Sequence, residues 1–274
     1  MKYRVLVLDI DGTLTNSQKE VTPKTRQALE TVQKNGVTVV LASGRPFPGI
    51  EPIAKEIGLP EYGGYILSFN GGNISNARDG KVVYQKTLPT PVIPRLTQFA
   101  KEHGIGILSY DKEAIVTSDP ENPYVQIESR INKMPVRKVE DLSAYLTYPT
   151  NKCLMVGDGE LMGNLEPVAA KLFPELNIYR SEPYFLECMP QSIDKAHSLE
   201  KLLDYLGYTK EQMVACGDGF NDLSMIEYAG LGVAMSNAQP VVKQAADYIT
   251  GSNDHDGVAM VISRFFDPYQ IASV

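Results

Sequence analysis

The string Asp9-Ile10-Asp11-Gly12-Thr13-Leu14 follows the continuous apolar run Val5-Leu6-Val7-Leu8. Such a run reads as a strand buried on both faces in a parallel sheet. At a strand's period of two, Asp9 and Asp11 project to the same side where the strand gives out, and Gly12 permits the tight turn that follows. Two carboxylates in one small space can do nucleophilic and acid–base work, or they can simply cap the turn. Ligands of an open α/β sheet bind in the crevice beyond the carboxyl ends of its strands, so the position favours chemistry.

Gly217-Asp218-Gly219-Phe220-Asn221-Asp222 follows a second apolar run, Met213 to Cys216, and precedes an apolar helix face. It brings Asp218 and Asp222 to the same edge, although Asp222 alone also fits an ordinary helix cap. Ser43, in Ala42-Ser43-Gly44-Arg45-Pro46, ends a third run. It reads as a helix N-cap, a role compatible with phosphate binding because a helix N-terminus carries free N–H groups. Gly157-Asp158-Gly159 also lies between an apolar run and a helix but lacks the Asn-Asp pair, so Asp158 reads as an N-cap.

These residues need a scaffold, and the spacing supplies one. Thr22-Pro23 offers an N-cap with proline at the first helical position, Ala28, Leu29 and Val32 give one apolar face, and Gly36 is the stop. Strands at 37–42 and 65–69, with a helix between them, complete a strand-helix-strand-helix-strand order that implies a parallel sheet with helices on both faces. The texture returns near the C-terminus, where Thr209 and Gln212 form a possible capping box ahead of runs at 213–216, 231–235 and 248–250. That series should complete the first sheet. Between the two, strand-like runs at 105–110, 114–118, 153–156, 178–181 and 185–189, with helices at 91–103 and 159–173, suit a mixed sheet covered by helices. The expected division is therefore a core of residues 1–84 and 190–274 and an inserted domain of 85–189. The tail Asp267 to Val274 reads as a short terminal extension.

Together these stretches resemble the haloacid dehalogenase-like phosphohydrolase superfamily. Its first motif is DxDGT followed by an apolar residue, its second a Ser or Thr ending the next strand, and its fourth GDxxND. The third motif is a lysine ahead of a helix, for which Lys195 is the candidate; many relatives have glycine after it, where this chain has Ala196-His197. His197 reads as a helix-face residue. The insertion resembles the large α/β cap of the Cof-type subfamily, and Asn70-Gly71-Gly72, Ser181 to Glu187 and Asn253 to Val258 are further matches.

The resemblance implies a Rossmann-like doubly wound parallel-sheet core with an inserted α/β cap that sets substrate specificity. It implies a phosphatase acting on small phosphorylated metabolites, sugar phosphates being favoured. Asp9 would attack phosphorus to form an aspartyl-phosphate, and Asp11 would protonate the leaving oxygen and then activate water. Ser43, the Gly44 N–H, Lys195, Asn221 and the Ile10 backbone would hold the phosphoryl oxygens. Converging carboxylates would repel without a counterion, and oxygen-only ligation suits Mg²⁺. By resemblance Asp9 and Asp218 ligate it through carboxylates and Asp11 through its backbone carbonyl, with Asp222 in support. A sugar phosphomutase and a non-catalytic phospho-acceptor module are the rival readings.

Composition excludes other classes. Of 274 residues, 43% are hydrophobic and 22% charged, close to the globular average, so the chain can bury a core and is not a low-complexity or fibrous protein. The formal charge of -7 offers no attraction to a nucleic-acid backbone, so no nucleic-acid partner is expected. Cys153, Cys188 and Cys216 form no CxxC pair and read as buried reduced thiols. With no apolar window long enough for a membrane span or a signal peptide, the expectation is a soluble cytoplasmic protein.

Overall fold

The run Val5–Leu8 forms strand β1, and all four side chains are fully excluded from water. A strand buried on both faces has no place for a polar side chain until it ends, so Asp9 marks its end. The computed structural model describes residues 2–266, and the tail from Asp267 lies outside the described residues.

Along the chain β1 is followed by β2 (Thr38–Ala42), β3 (Tyr65–Ser68), β4 (Asn73–Asn76) and β5 (Val82–Gln85). Six strands come next: β6 (Gly106–Tyr110), β7 (Ile115–Thr117), β8 (Val136–Lys138), β9 (Cys153–Val156), β10 (Leu176–Glu182) and β11 (Phe185–Pro190). The last three are β12 (Met213–Gly217), β13 (Leu231–Ala234) and β14 (Tyr248–Ile249). The first and last groups form one eight-stranded sheet in the order β14-β13-β12-β1-β2-β3-β4-β5, so the C-terminal series does complete the first sheet.

Pairing is parallel from β14 through to β3. It then turns antiparallel between β3 and β4, so the expected parallel core carries an antiparallel extension at one edge. The reason is local. The turn after β3 is far too short for a crossover helix, so the chain can only fold back on itself.

The order reverses at β1, with β2 on one side and β12 on the other, the arrangement that opens a crevice at the strands' carboxyl ends. Helices flank the sheet, and their ends are capped as the sequence suggests. Thr22 accepts from the Thr25 N–H at 3.2 Å to start Pro23–Lys34, and the box at Thr209 and Gln212 is formed.

The chain divides into two compact units. One comprises the chain up to Gly44, Ile50–Tyr84 and the chain from Asp194 onward; the other comprises Arg45–Gly49 and Gln85–Ile193. The second unit holds a six-stranded sheet, β10-β11-β9-β6-β7-β8, antiparallel except for β7 with β8. Its core buries Leu96, Phe99, Met155, Phe173 and Leu186. Asp158 caps the helix Gly159–Leu172 by accepting from the Glu160 and Leu161 N–H groups, as an N-cap should. The three cysteines are buried and free, and burial holds their thiols above the ordinary range. No helix among the described residues is long and apolar enough to cross a membrane.

Candidate active site

Three parallel strands deliver the site. β1 ends at Asp9, which is 6% exposed, and runs on through the buried Ile10 to Asp11. Gly12 then takes φ +86, and a Cβ there would stand 2.4 Å from Asp218 Oδ2, so only glycine lets this turn lie against the loop after β12. β12 gives out into Asp218 and Gly219, and β2 into the buried Ser43. Lys195 opens the helix Lys195–Leu206, whose N-cap Asp194 accepts from the His197 N–H at 2.8 Å.

Lys195 is wholly buried and its Nζ donates to three oxygens: Asp9 Oδ1 at 2.7 Å, Asp222 Oδ1 at 2.5 Å and the Ala42 carbonyl at 2.8 Å. It is a clasp between the ends of β1 and β2 and the loop after β12. The other oxygen of Asp222 accepts from the Asp218 and Gly219 N–H groups at 2.9 Å each. Asp222 therefore does cap a turn, but the turn behind it, while pairing with the lysine. Thr13 Oγ1 donates to Asp218 Oδ1 at 2.8 Å, and Asn221 Nδ2 donates to Asn70 Oδ1 at 3.1 Å.

Electrostatics follow from this packing. Burial and then the Asp222 charge push the Asp9 carboxyl up to about 8, against the pull of Lys195. Burial likewise raises Asp218 to about 6, only partly offset by the Thr13 hydroxyl. Burial would lower the Lys195 ammonium, but the Asp222 and Asp9 carboxylates outweigh it and hold the group firmly charged.

Asp9, Asp218 and Asp222 each offer a carboxylate oxygen within 4.8 Å of the others. An all-oxygen, anionic donor set fits a hard divalent cation, which would also relieve the crowding that raises Asp9 and Asp218. With both its oxygens already engaged, Asp222 is less available to a cation than its two neighbours.

The structure thus brings together Asp9, Asp218, Asp222 and Lys195. Asp11 lies beside them, near enough for its charge to add to the rise at Asp218, while its Oδ1 meets Lys19 Nζ at 2.9 Å. Ser43 accepts the Asn70 N–H on its carbonyl at 2.9 Å, and a Cβ at Gly44 would stand 3.1 Å from Asn70 Nδ2. The Ile10 carbonyl takes the Thr15 N–H and hydroxyl, both at 2.9 Å. His197 sits on the helix surface, 3.9 Å from Glu200.

Three participants escaped the sequence reading. Thr13 lies inside the first motif and could have been found there. Asn70 was visible only as part of Asn-Gly-Gly. Asn237, which donates to the Gly12 carbonyl at 2.8 Å and accepts from the Asn253 N–H at 3.1 Å, had no local signal at all.

Known proteins share this architecture. A family profile described as haloacid dehalogenase-like hydrolase matches residues 6–262. A haloacid dehalogenase-like hydrolase from Bacteroides thetaiotaomicron is 50% identical, with a TM-score of 0.93 over 97% of this chain and 100% of that one. BT1666 from the same organism, described among the phosphatases of the superfamily, is 27% identical, with a TM-score of 0.80 over 96% of this chain and 95% of its own. The 5-amino-6-(5-phospho-D-ribitylamino)uracil phosphatase YcsE of Bacillus subtilis is 30% identical over 267 residues, 96% of this chain and 95% of that one. With the profile spanning nearly the whole chain and these relatives matching it end to end, the protein belongs to the haloacid dehalogenase-like hydrolase family, within which it is a phosphatase.

Proposed function

We propose that the enzyme is a Mg²⁺-dependent phosphatase of small phosphorylated metabolites, most naturally sugar phosphates, working through an aspartyl-phosphate. The observation that carries the reading is the Lys195 clasp, which fixes Asp9 and Asp222 to one cation with Asp218 alongside. Asp9 and Asp218 would hold the metal through carboxylates and Asp11 through its backbone carbonyl, with Asp222 braced behind them by Lys195. When bound, the ion supplies positive charge to the phosphoryl oxygens and keeps the raised carboxyls ionised.

In this reading an Asp9 carboxylate oxygen attacks phosphorus, and the bond from phosphorus to the ester oxygen breaks as Asp11 gives that oxygen a proton. Asp11 then takes a proton from a water that attacks phosphorus and frees Asp9. Ser43, the Gly44 and Ile10 backbone and Asn221 would hold the non-bridging oxygens, and Lys195 would join them by turning one N–H from Asp9 to the phosphoryl group, where most of the barrier in phosphoryl transfer is lowered. The inserted unit, residues 85–189 by sequence and ending at Ile193 by contacts, would choose the leaving group. The sugar-phosphate reading is supported by YcsE, whose named substrate carries its phosphate on a ribityl chain.

A panel of phosphorylated sugars, sugar alcohols and cofactors, assayed for inorganic phosphate with and without Mg²⁺, tests this. Metal-dependent release from sugar phosphates without any bisphosphate activator is expected, and Asp9→Asn should lower it about a thousand-fold or more. Appreciable turnover by that variant would refute the nucleophile, and release confined to non-sugar esters would refute the substrate class.

A further inference from the structure

The turn after β3 is the most contorted stretch of backbone near the site. Phe69 takes φ 53, Asn70 φ 51 and Gly71 φ 107, three left-handed residues in succession, two of them not glycine. Side chains other than glycine adopt such angles only where the surroundings insist on it, and such residues gather at functional sites.

The surroundings here are three loops that carry proposed phosphate contacts. Asn70 N–H donates to the Ser43 carbonyl at 2.9 Å, and its side-chain nitrogen lies against Gly44. Its side-chain oxygen accepts from Asn221 Nδ2 at 3.1 Å. Gly71 is pressed onto the start of the helix that bears Lys195: a Cβ there would stand 2.5 Å from both the Asp194 carbonyl and Ser198 Oγ. Ser198, itself fully buried, donates to the Gly71 carbonyl at 2.6 Å. One turn is therefore pinned to the loops of Ser43, Lys195 and Asn221 at once.

We propose that Asn70 is a positioning residue for the phosphoryl site, acting through Asn221. A carboxamide nitrogen has two N–H bonds. Asn70 takes one, which fixes the plane of the Asn221 amide and leaves the second aimed at a phosphoryl oxygen. The clamp of Gly71 by Asp194 and Ser198 holds the strained turn so that this aim is set before substrate arrives. The proposal rests on the phosphatase reading for its purpose, but its geometry can be tested by anion binding alone.

The test is a double-mutant cycle of N70G and N221A on the full chain with magnesium chloride present. Two quantities are read: the Kd of inorganic phosphate by calorimetry, and kcat and KM for p-nitrophenyl phosphate. Glycine keeps the left-handed backbone, so N70G removes the amide without adding strain, and N70A serves as the comparison in which strain is added. Each single variant should weaken phosphate binding about ten-fold and lower kcat in parallel, since each spoils one hydrogen bond to a charged group. The double variant should be no worse than N221A.

Losses that multiply in the double variant, or an N70G that binds phosphate like the wild type, overturn the proposal. Turnover retained by Asp9→Asn would instead overturn the phosphatase mechanism, and the phosphate-binding cycle would still report on Asn70.

Discussion

Lys195 shows how one buried charge can hold a site together. Its ammonium, with no exposure to solvent, lies between Asp9 and Asp222 and accounts for the tolerance of two carboxylates at so short a range. Replacing it by Met keeps the apolar stem and removes the charge, leaving both acids buried against each other. Lys195→Met should lower the unfolding free energy by about 3 to 5 kcal/mol, the usual cost of stripping one partner from a buried ionic group. Urea unfolding at a pH where the acids are ionised measures it, and a loss below about 1 kcal/mol would show that the clasp is not structural. The lysine's type and its place ahead of a helix were legible in the sequence, but its three partners were not. They lie up to 186 positions away in the chain, and no local pattern records a contact of that range.

At the scale of elements, the contrast between the two Gly-Asp-Gly stretches is instructive. Both follow an apolar strand and precede a turn of helix, yet Asp218 meets Thr13 across the sheet while Asp158 bonds only the N–H groups of its own helix among the contacts described. Asp158→Ala should cost about 1 kcal/mol of stability and leave kcat unchanged, whereas Asp218→Ala should abolish metal-dependent turnover. Thermal unfolding beside an activity assay separates the two, and loss of activity in Asp158→Ala would contradict the assignment. What told them apart beforehand was the Asn221-Asp222 pair.

Strands buried on both faces, such as β1, β2 and β12, announce themselves by unbroken apolar runs. β4 and β8 do not, because Asn73, Ser75, Arg137 and Lys138 interrupt the pattern, and Val82 of β5 is 48% exposed. Short strands of this kind are fixed by their neighbours and not by their own composition.

For the whole molecule, the raised carboxyls link stability to pH and to metal. Asp9 and Asp218 bind protons more tightly in the folded chain than in the unfolded one. In the metal-free protein their stabilising contribution is complete below about pH 4, and it is lost as the pH rises through about 6 and then about 8. A divalent cation held by these carboxyls would take the place of those protons, so its stabilisation should grow over the same window. The rise in melting temperature on adding Mg²⁺ should accordingly be larger at about pH 8 than at about pH 5. Equal increments at the two values would mean that the carboxyls are not where the ion binds. The acidic balance of -7 is thus a property of the empty chain, and a loaded site offsets part of it.

The interleaving of the two sheets also has a consequence in time. Asp9 and Ser43 are made early, but Lys195, 186 positions beyond Asp9, and Asp218, 205 positions beyond its partner Thr13, arrive only after every strand of the inserted sheet has been synthesised. Because chains emerge from the ribosome in one direction, β1 must wait, unpaired on its β12 side, for most of translation. The site is therefore closed only when synthesis is nearly complete, and a chain cut short inside the insert has Asp9 without the Lys195 and Asp218 that gather around it.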